Sequence, residues 1–375
     1  MSDQTIEVDP VTLEDDYDDD GGSGYTGSGS TMTLMSAAKV YVYENGRRFH
    51  GWREGRYAMP NDEEEQDRMD LQHHICLLAL SGELYVAPAM KDPKRILDLG
   101  TGTGIWAIDI GDSYPDAQVI GVDLSPIQPE WVPPNVSFEV DDIEQLWLYA
   151  DNSFDFVHIR QLTGFINDWP RLYAQALRVL KPGGYFEAQE FVGIGCDDSS
   201  VPIDSYMFRW FDLWAEGIKR AGKQLPDSHA DGLVSAGFAN VVYRRIKIPI
   251  GLWAKEESGK EIGLYMRQHF IEGGESIALA VLTRFLGWSK EEVDMLLVSF
   301  RRDLMIGRYH GYTRFHCTYG QKPEKEKVME GVNEGGKGEE EKEQKKKEQK
   351  EEEEKEQKEG EKKEQEEEVK EEKIG

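Results

Sequence analysis

The chain has 375 residues, a formal net charge of −28, eight His and three Cys. No Lys/Arg cluster is large enough to neutralise a phosphate backbone, which argues against direct nucleic-acid binding, and no uninterrupted apolar run approaches the roughly 18 residues of a membrane span. Cys76, Cys196 and Cys317 are too scattered for a disulfide framework or a zinc pattern, and the acidic start is unlike a secretory signal, so a soluble cytoplasmic protein without a metal is expected, the nucleus being the alternative.

Residues 1–35 carry nine acids and no Lys or Arg, then run through Gly21-Gly-Ser-Gly-Tyr-Thr-Gly-Ser-Gly-Ser30. Such an arm buries too little apolar surface to offset its ordering entropy and is expected to be disordered. Residues 36–320 are read as the working domain. Tyr43, Arg47, Arg48 and His50 cluster in an otherwise polar segment and either close a pocket or dock the arm on the core. A helix is predicted over 62–84, with Arg68 and Gln72 one turn apart.

The densest signal follows. Ile96-Leu-Asp-Leu-Gly-Thr-Gly-Thr-Gly-Ile-Trp106 is an apolar strand entering a loop with glycine at 100, 102 and 104 and threonine at 101 and 103. Glycine there permits a sharp turn and brings bare backbone against a ligand. The spacing Asp-x-Gly-x-Gly-x-Gly departs from the Gly-x-Gly-x-x-Gly of dinucleotide sites, which seat a pyrophosphate on a helix N-terminus. A carboxylate at the strand end, Asp98, would repel pyrophosphate but suits the ammonium group of S-adenosylmethionine. The next strand, 118–123, ends in Asp123 about twenty residues on, where such folds place a carboxylate on ribose hydroxyls; Leu124 follows it. A third strand, 136–140, runs into a polar turn where Asp142 and the amide of Ile143 can meet the adenine.

Strand 154–159, a helix continuing to Leu180 from Pro170, and strand 184–191 complete an alternation that argues for a parallel sheet covered by helices on both faces. The cofactor-binding core is thus 95–191. Residues 192–306 read as a mostly helical lid and substrate region, with helices over 206–222, 227–236, 258–286 and 289–306 interrupting strands 240–248 and 309–319. Together with the N-terminal helix they are expected to cover the strand ends, and the two late strands to complete a seven-stranded, doubly wound Rossmann-like α/β sheet. Residues 321–375 hold 22 Glu and 15 Lys with no aromatic residue, a low-complexity tail lacking the apolar seam of a coiled coil.

With these motifs in order, the chain resembles a class I S-adenosylmethionine-dependent methyltransferase, and within that class the fungal LaeA-type methyltransferases. The resemblance covers residues 40–322 and is carried by Tyr43-Glu-Asn-Gly-Arg-Arg-Phe-His-Gly51, Asn61-Asp-Glu-Glu-Glu-Gln-Asp-Arg-Met-Asp-Leu-Gln-His-His74, the glycine block, Phe154-Asp-Phe-Val-His-Ile-Arg160 and Leu180-Lys-Pro-Gly-Gly-Tyr-Phe-Glu187. It implies an enzyme of fungal secondary metabolism that methylates an oxygen or nitrogen of a small molecule. The alternative it implies is a nuclear regulator acting with velvet-type protein partners.

Methyl transfer from a sulfonium is an in-line displacement that needs positioning and exclusion of water more than a dedicated base. For a hydroxyl acceptor, His73, His74 and His158 are the candidate bases, although a lone His on an apolar element is commonly a core residue. Arg68 and Gln72 are candidates to hold the cofactor carboxylate, against an Arg68 pair with Glu64 or Glu65 on the helix surface. Phe208, Trp210, Phe211 and Trp214 either line an aromatic substrate cavity or fill the core.

Overall fold

A computed structural model of the chain describes residues 5–9, 41–51 and 57–324. Most of the acidic arm and all but the first four residues of the Glu/Lys tail, and with them the readings made there, lie outside the described residues. Residues 5–9 do touch the domain: Val8 bridges Ala254, and Asp9 pairs with Lys260 at 2.6 Å.

The first elements are a hairpin, β1 (Tyr41–Glu44) and β2 (Arg47–His50). Asn45 and Gly46 join them, both at positive φ (52° and 83°), the two-residue turn that an Asn-Gly pair favours. Helix α1 (Glu63–Ala79) opens on Asp62, whose carboxylate accepts from the Glu65 amide. It stops short of the predicted Leu84 because the chain breaks at Ser81 and Gly82, both at positive φ.

The central sheet is built from β3 (Arg95–Leu99), β4 (Gln118–Asp123), β5 (Val136–Val140), β6 (Phe154–Arg160), β7 (Leu180–Gly195), β8 (Ala239–Pro249) and β9 (Tyr312–Gln321). Their spatial order is β5-β4-β3-β6-β7-β9-β8. The five strands β3 to β7 run parallel, with α2 (Ile105–Ser113) and α3 (Trp169–Val179) among the crossovers. The parallel sheet expected over 95–191 is present, and strand β9 enters between β7 and β8, antiparallel to both. Seven strands are present, as expected.

Chain order reverses between β3 and β6: from β3 the chain winds outward through β4 and β5, then returns to the other side. Open α/β sheets bind ligands at this switch point, beyond the carboxyl ends of the strands. The crevice is capped by α1, α4 (Tyr206–Arg220) and α6 (Glu257–Val281), the last continuing as a π-helical turn, Leu282–Leu286. Helices α5 (Ala230–Ala236) and α7 (Lys290–Leu304) complete the order. Trp210 of α4 stacks on Phe300 of α7 at 4.7 Å and is 2% exposed, which makes it chiefly a core residue. Burying such a ring is worth several kcal/mol, and it ties the cap together.

Candidate active site

A cavity of about 440 Å³ lies over the switch point. Its floor is the glycine loop after β3, where Gly100, Gly102 and Gly104 all have positive φ (70°, 58° and 84°). A Cβ at Gly104 would lie 2.3 Å from Phe138 Cζ, so only glycine lets the loop pack on β5. At Gly102 the constraint is φ itself, with only the flexible tip of Met69 nearby.

Three carboxylates from adjacent strands surround that floor. Asp98 accepts from the Thr101 hydroxyl (2.6 Å) and from His158 Nδ1 (2.7 Å). A carboxylate has capacity for further donors, so these bonds orient it without closing it to a ligand. Asp123 accepts from the amides of Gly102 and Ser125, each at 2.9 Å, and so ties the glycine loop to the end of β4. Burial pushes its carboxyl up to about 6, opposed by the Ser125 and Gly102 amides. Asp142, 4% exposed, accepts from the Glu144 amide and lies beside Ile143 on the cavity wall. Thr103 and Leu124 also line the space, and Thr103 donates to Asp70 at 2.7 Å.

The candidates on α1 separate. Gln72 lines the cavity. Arg68 also reaches it, but its guanidinium grips Glu65 through Nε (2.8 Å) and Nη2 (2.7 Å), with both side chains buried. The pair with Glu65 is therefore real but interior, not on the helix surface, and it uses two of the five guanidinium N–H donors. Arg160, at the end of β6, was not signalled as a ligand by the sequence; it lines the cavity and bonds His73 Nδ1 at 3.0 Å, with the Cys76 thiol also in reach.

The histidines separate too. His73 is held between Asp109 (2.8 Å) and Arg160 and does not line the cavity. His74 packs edge-on against Tyr265 and is also outside the lining. His158 lines the cavity but is stacked on Trp106 with ring centroids 3.7 Å apart. Burial lowers its pKa, opposed by Asp98, and because Asp98 can only accept, the neutral ring carries its proton on Nδ1.

The polar N-terminal cluster acts one step back from the cavity. Arg47 donates twice to Asp62 at 2.6 Å, and Arg48 reaches Asn61 and Glu63. These bonds anchor the hairpin to the start of α1 and so position Tyr57, Met59 and Asn61, which do line the cavity. Tyr43 is 71% exposed, and none of Tyr43, Arg47, Arg48 and His50 belongs to the lining. On the far wall, Phe211 and Trp214 of α4 face the cavity while Phe208 packs into the core.

This strand order and loop define the fold of a class I methyltransferase, and the lining has groups that suit its cofactor: carboxylates to accept from an ammonium, sugar hydroxyls and an exocyclic amine, and the Arg160 guanidinium to donate to a carboxylate. The sequence matches the family described as a methyltransferase domain over residues 71–225. It is 41% identical over 298 residues to methyltransferase pytC of Aspergillus terreus, spanning 78% of this chain and 92% of that one. It is 38% identical over 290 residues to the secondary metabolism regulator LAE1 of Cochliobolus heterostrophus, spanning 75% and 94%. A Haemonchus contortus phosphoethanolamine N-methyltransferase 2 solved with S-adenosyl-L-methionine is 19% identical, with TM-score 0.39 over 72% of this chain and 55% of that one. The chain belongs to the LaeA-type methyltransferase family of fungal secondary metabolism; it is an enzyme, and its cofactor is S-adenosylmethionine.

Among the described residues no helix is long and apolar enough to cross a membrane, and no group of His, Cys, Asp or Glu is arranged to hold a metal.

Proposed function

We propose that the chain methylates an oxygen or nitrogen of a small molecule, that residues 36–320 form the catalytic domain, and that 95–191 hold the cofactor while 192–306 shape the acceptor pocket. The observation that carries this reading is the cavity's continuity: one space runs from the glycine loop to an aromatic wall of Phe165, Phe211 and Trp214. A pocket of that kind suits a small, largely apolar ligand.

Bound S-adenosylmethionine supplies an electrophilic methyl on sulfur. The protein's own part is positional. In this reading the carboxylate of Asp123 takes the sugar hydroxyls, Asp142 and the Ile143 amide take the base, and Gly100 to Gly104 lie against the nucleoside and the methionine chain. Asp98, steadied by Thr101 and His158, faces the ammonium group. Gln72 and Arg160 hold the carboxylate, with Arg68, braced by Glu65, beside them. His158 serves by fixing Asp98; with His73 and His74 outside the lining, no histidine base is assigned. Helices α1, α4 and α6 exclude water from the reacting atoms.

A transfer assay with methyl-labelled cofactor on extracts of a deletion strain tests this: a labelled metabolite in the organic phase is expected, and label only in protein would count against it. The similarity to a protein named as a secondary metabolism regulator favours a second reading, in which the same fold works through a velvet-type partner in the nucleus. A tagged copy confined to the cytoplasm, with no such partner on pull-down, would remove it.

A further inference from the structure

Beyond β6 the cavity presents polar groups of a different kind. Resting on the methyltransferase reading above, we propose that this half receives an acceptor bearing a carboxylate, and that Arg314 is the residue that selects that charge.

Arg314 sits on β9 opposite Val192 of β7 and lines the cavity. Its Nε is buried without a hydrogen-bond partner among the described residues. Five further buried groups on the lining are in the same condition among the described residues: Gln161 Nε2, Thr163 Oγ1 and Trp214 Nε1 in this half, and His158 Nε2 and His269 Nδ1 nearer the cofactor half. Indole and guanidinium N–H groups can only donate, and the amide nitrogen likewise. Buried donors are rarely left unpaired, so the missing partner is a ligand rich in acceptor oxygens, and the one cation among them favours a charged group.

Local backbone geometry supports a built site. Gln161 is held at φ 57°, a left-handed conformation costly for a residue with a side chain and common where function over-determines the backbone. Gly193, at φ 67°, leaves room for the guanidinium, since a Cβ there would lie 3.0 Å from Arg314 Nη2. Two acids also line this half, Glu190 and Asp227. Glu190 is already committed, accepting from the Leu162 and Thr163 amides with His229 Nε2 at 3.5 Å, and the Asp227 carbonyl oxygen bonds His316. Neither acid forms an ion pair with Arg314.

Position separates Arg314 from the cofactor's carboxylates. Strand β9 is three places from β3 in the sheet, roughly 14 Å at ordinary strand spacing. The apolar side chains Phe165, Phe211 and Ile277 on the same lining suit a flat hydrocarbon body.

The test uses the full chain saturated with S-adenosylhomocysteine and two probes of nearly equal shape, 2-naphthoate and 2-naphthamide, titrated by calorimetry. The acid is expected to bind the native protein about tenfold more tightly than the amide. In Arg314→Gln the two should agree within about twofold, with S-adenosylhomocysteine affinity unchanged, and Arg314→Lys should keep part of the preference. Equal binding of acid and amide to the native protein, or a preference that survives in Arg314→Gln, would overturn the proposal alone. Weaker S-adenosylhomocysteine binding in Arg314→Gln would also overturn it, by assigning the residue to the cofactor. Failure of the native protein to bind S-adenosylhomocysteine would remove the methyltransferase site and this proposal with it.

Discussion

The two halves of the cavity are built on different plans. Around β3, β4 and β5 each polar group comes from a strand end or the loop that follows it, and its carboxylates are already steadied by bonds from within the same neighbourhood: Thr101 and His158 to Asp98, Gly102 and Ser125 to Asp123. Around the end of β6, β9 and α4 the polar groups come from segments more than a hundred residues apart, Gln161 to Arg314, and Arg314 Nε, Gln161 Nε2 and Trp214 Nε1 have no partner among the described residues. The first half is preorganised for one ligand whatever the substrate. The second, in the proposal above, completes its bonding only with an acceptor. Substitutions should therefore act differently on the two sides.

The largest effect is expected in the packing behind the acceptor half. Trp210→Ala removes a ring stacked on Phe300 and should cost about 3–5 kcal/mol of stability in denaturant titration; S-adenosylmethionine affinity of the folded fraction should be unchanged. Next is Gly102→Val on the cofactor side. It forces a β-branched residue into a left-handed conformation at the cavity floor and should weaken binding at least about 100-fold by calorimetry, with the circular dichroism spectrum retained.

Asp123→Ala is expected to lie lower, at about tenfold to 100-fold in affinity, because it removes both the ligand's acceptor and the partner of two buried amides. Its titration gives a fourth test. The Asp123 carboxyl is raised to about 6, so the fold is favoured by its protonation below the unfolded value near 4, and that contribution is lost as pH rises through about 6. Cofactor binding has the opposite sign, because hydroxyls donate to the ionised form. Affinity should fall by up to about tenfold per unit as pH drops below about 6, and Asp123→Asn should abolish that slope. A native slope retained in the variant would assign the titration to another group. The smallest effect is expected at Trp214→Phe, which removes an unpartnered indole N–H on the acceptor side and should leave cofactor affinity within about twofold.

The same division explains what the sequence made legible. The places of Asp98, Gly102, Asp123 and Asp142 on the cavity were readable because each lies at or just past the carboxyl end of an apolar strand. The Arg68–Glu65 pair was readable as a spacing but not as a burial, since only α6 packing over α1 takes it out of water: a Cβ at Gly273 would lie 2.3 Å from Arg68 Cδ. The β1–β2 hairpin was announced by Asn45-Gly46 between alternating side chains, a signal that reading the segment as merely polar passed over. Arg160 ends a strand of the resemblance block, yet its access to the cavity depends on His73 from α1. Arg314 carries no local mark. Its placement requires β9 to run antiparallel between β7 and β8, a pairing across residues that no short window contains.

The central claim is that the bend after β3 and the carboxylates of three neighbouring strands hold S-adenosylmethionine. Calorimetric titration of the full chain with S-adenosylmethionine and, separately, with NAD tests it most directly. Saturable one-to-one binding of the first and none of the second is predicted; binding of NAD, or of neither, would contradict the account.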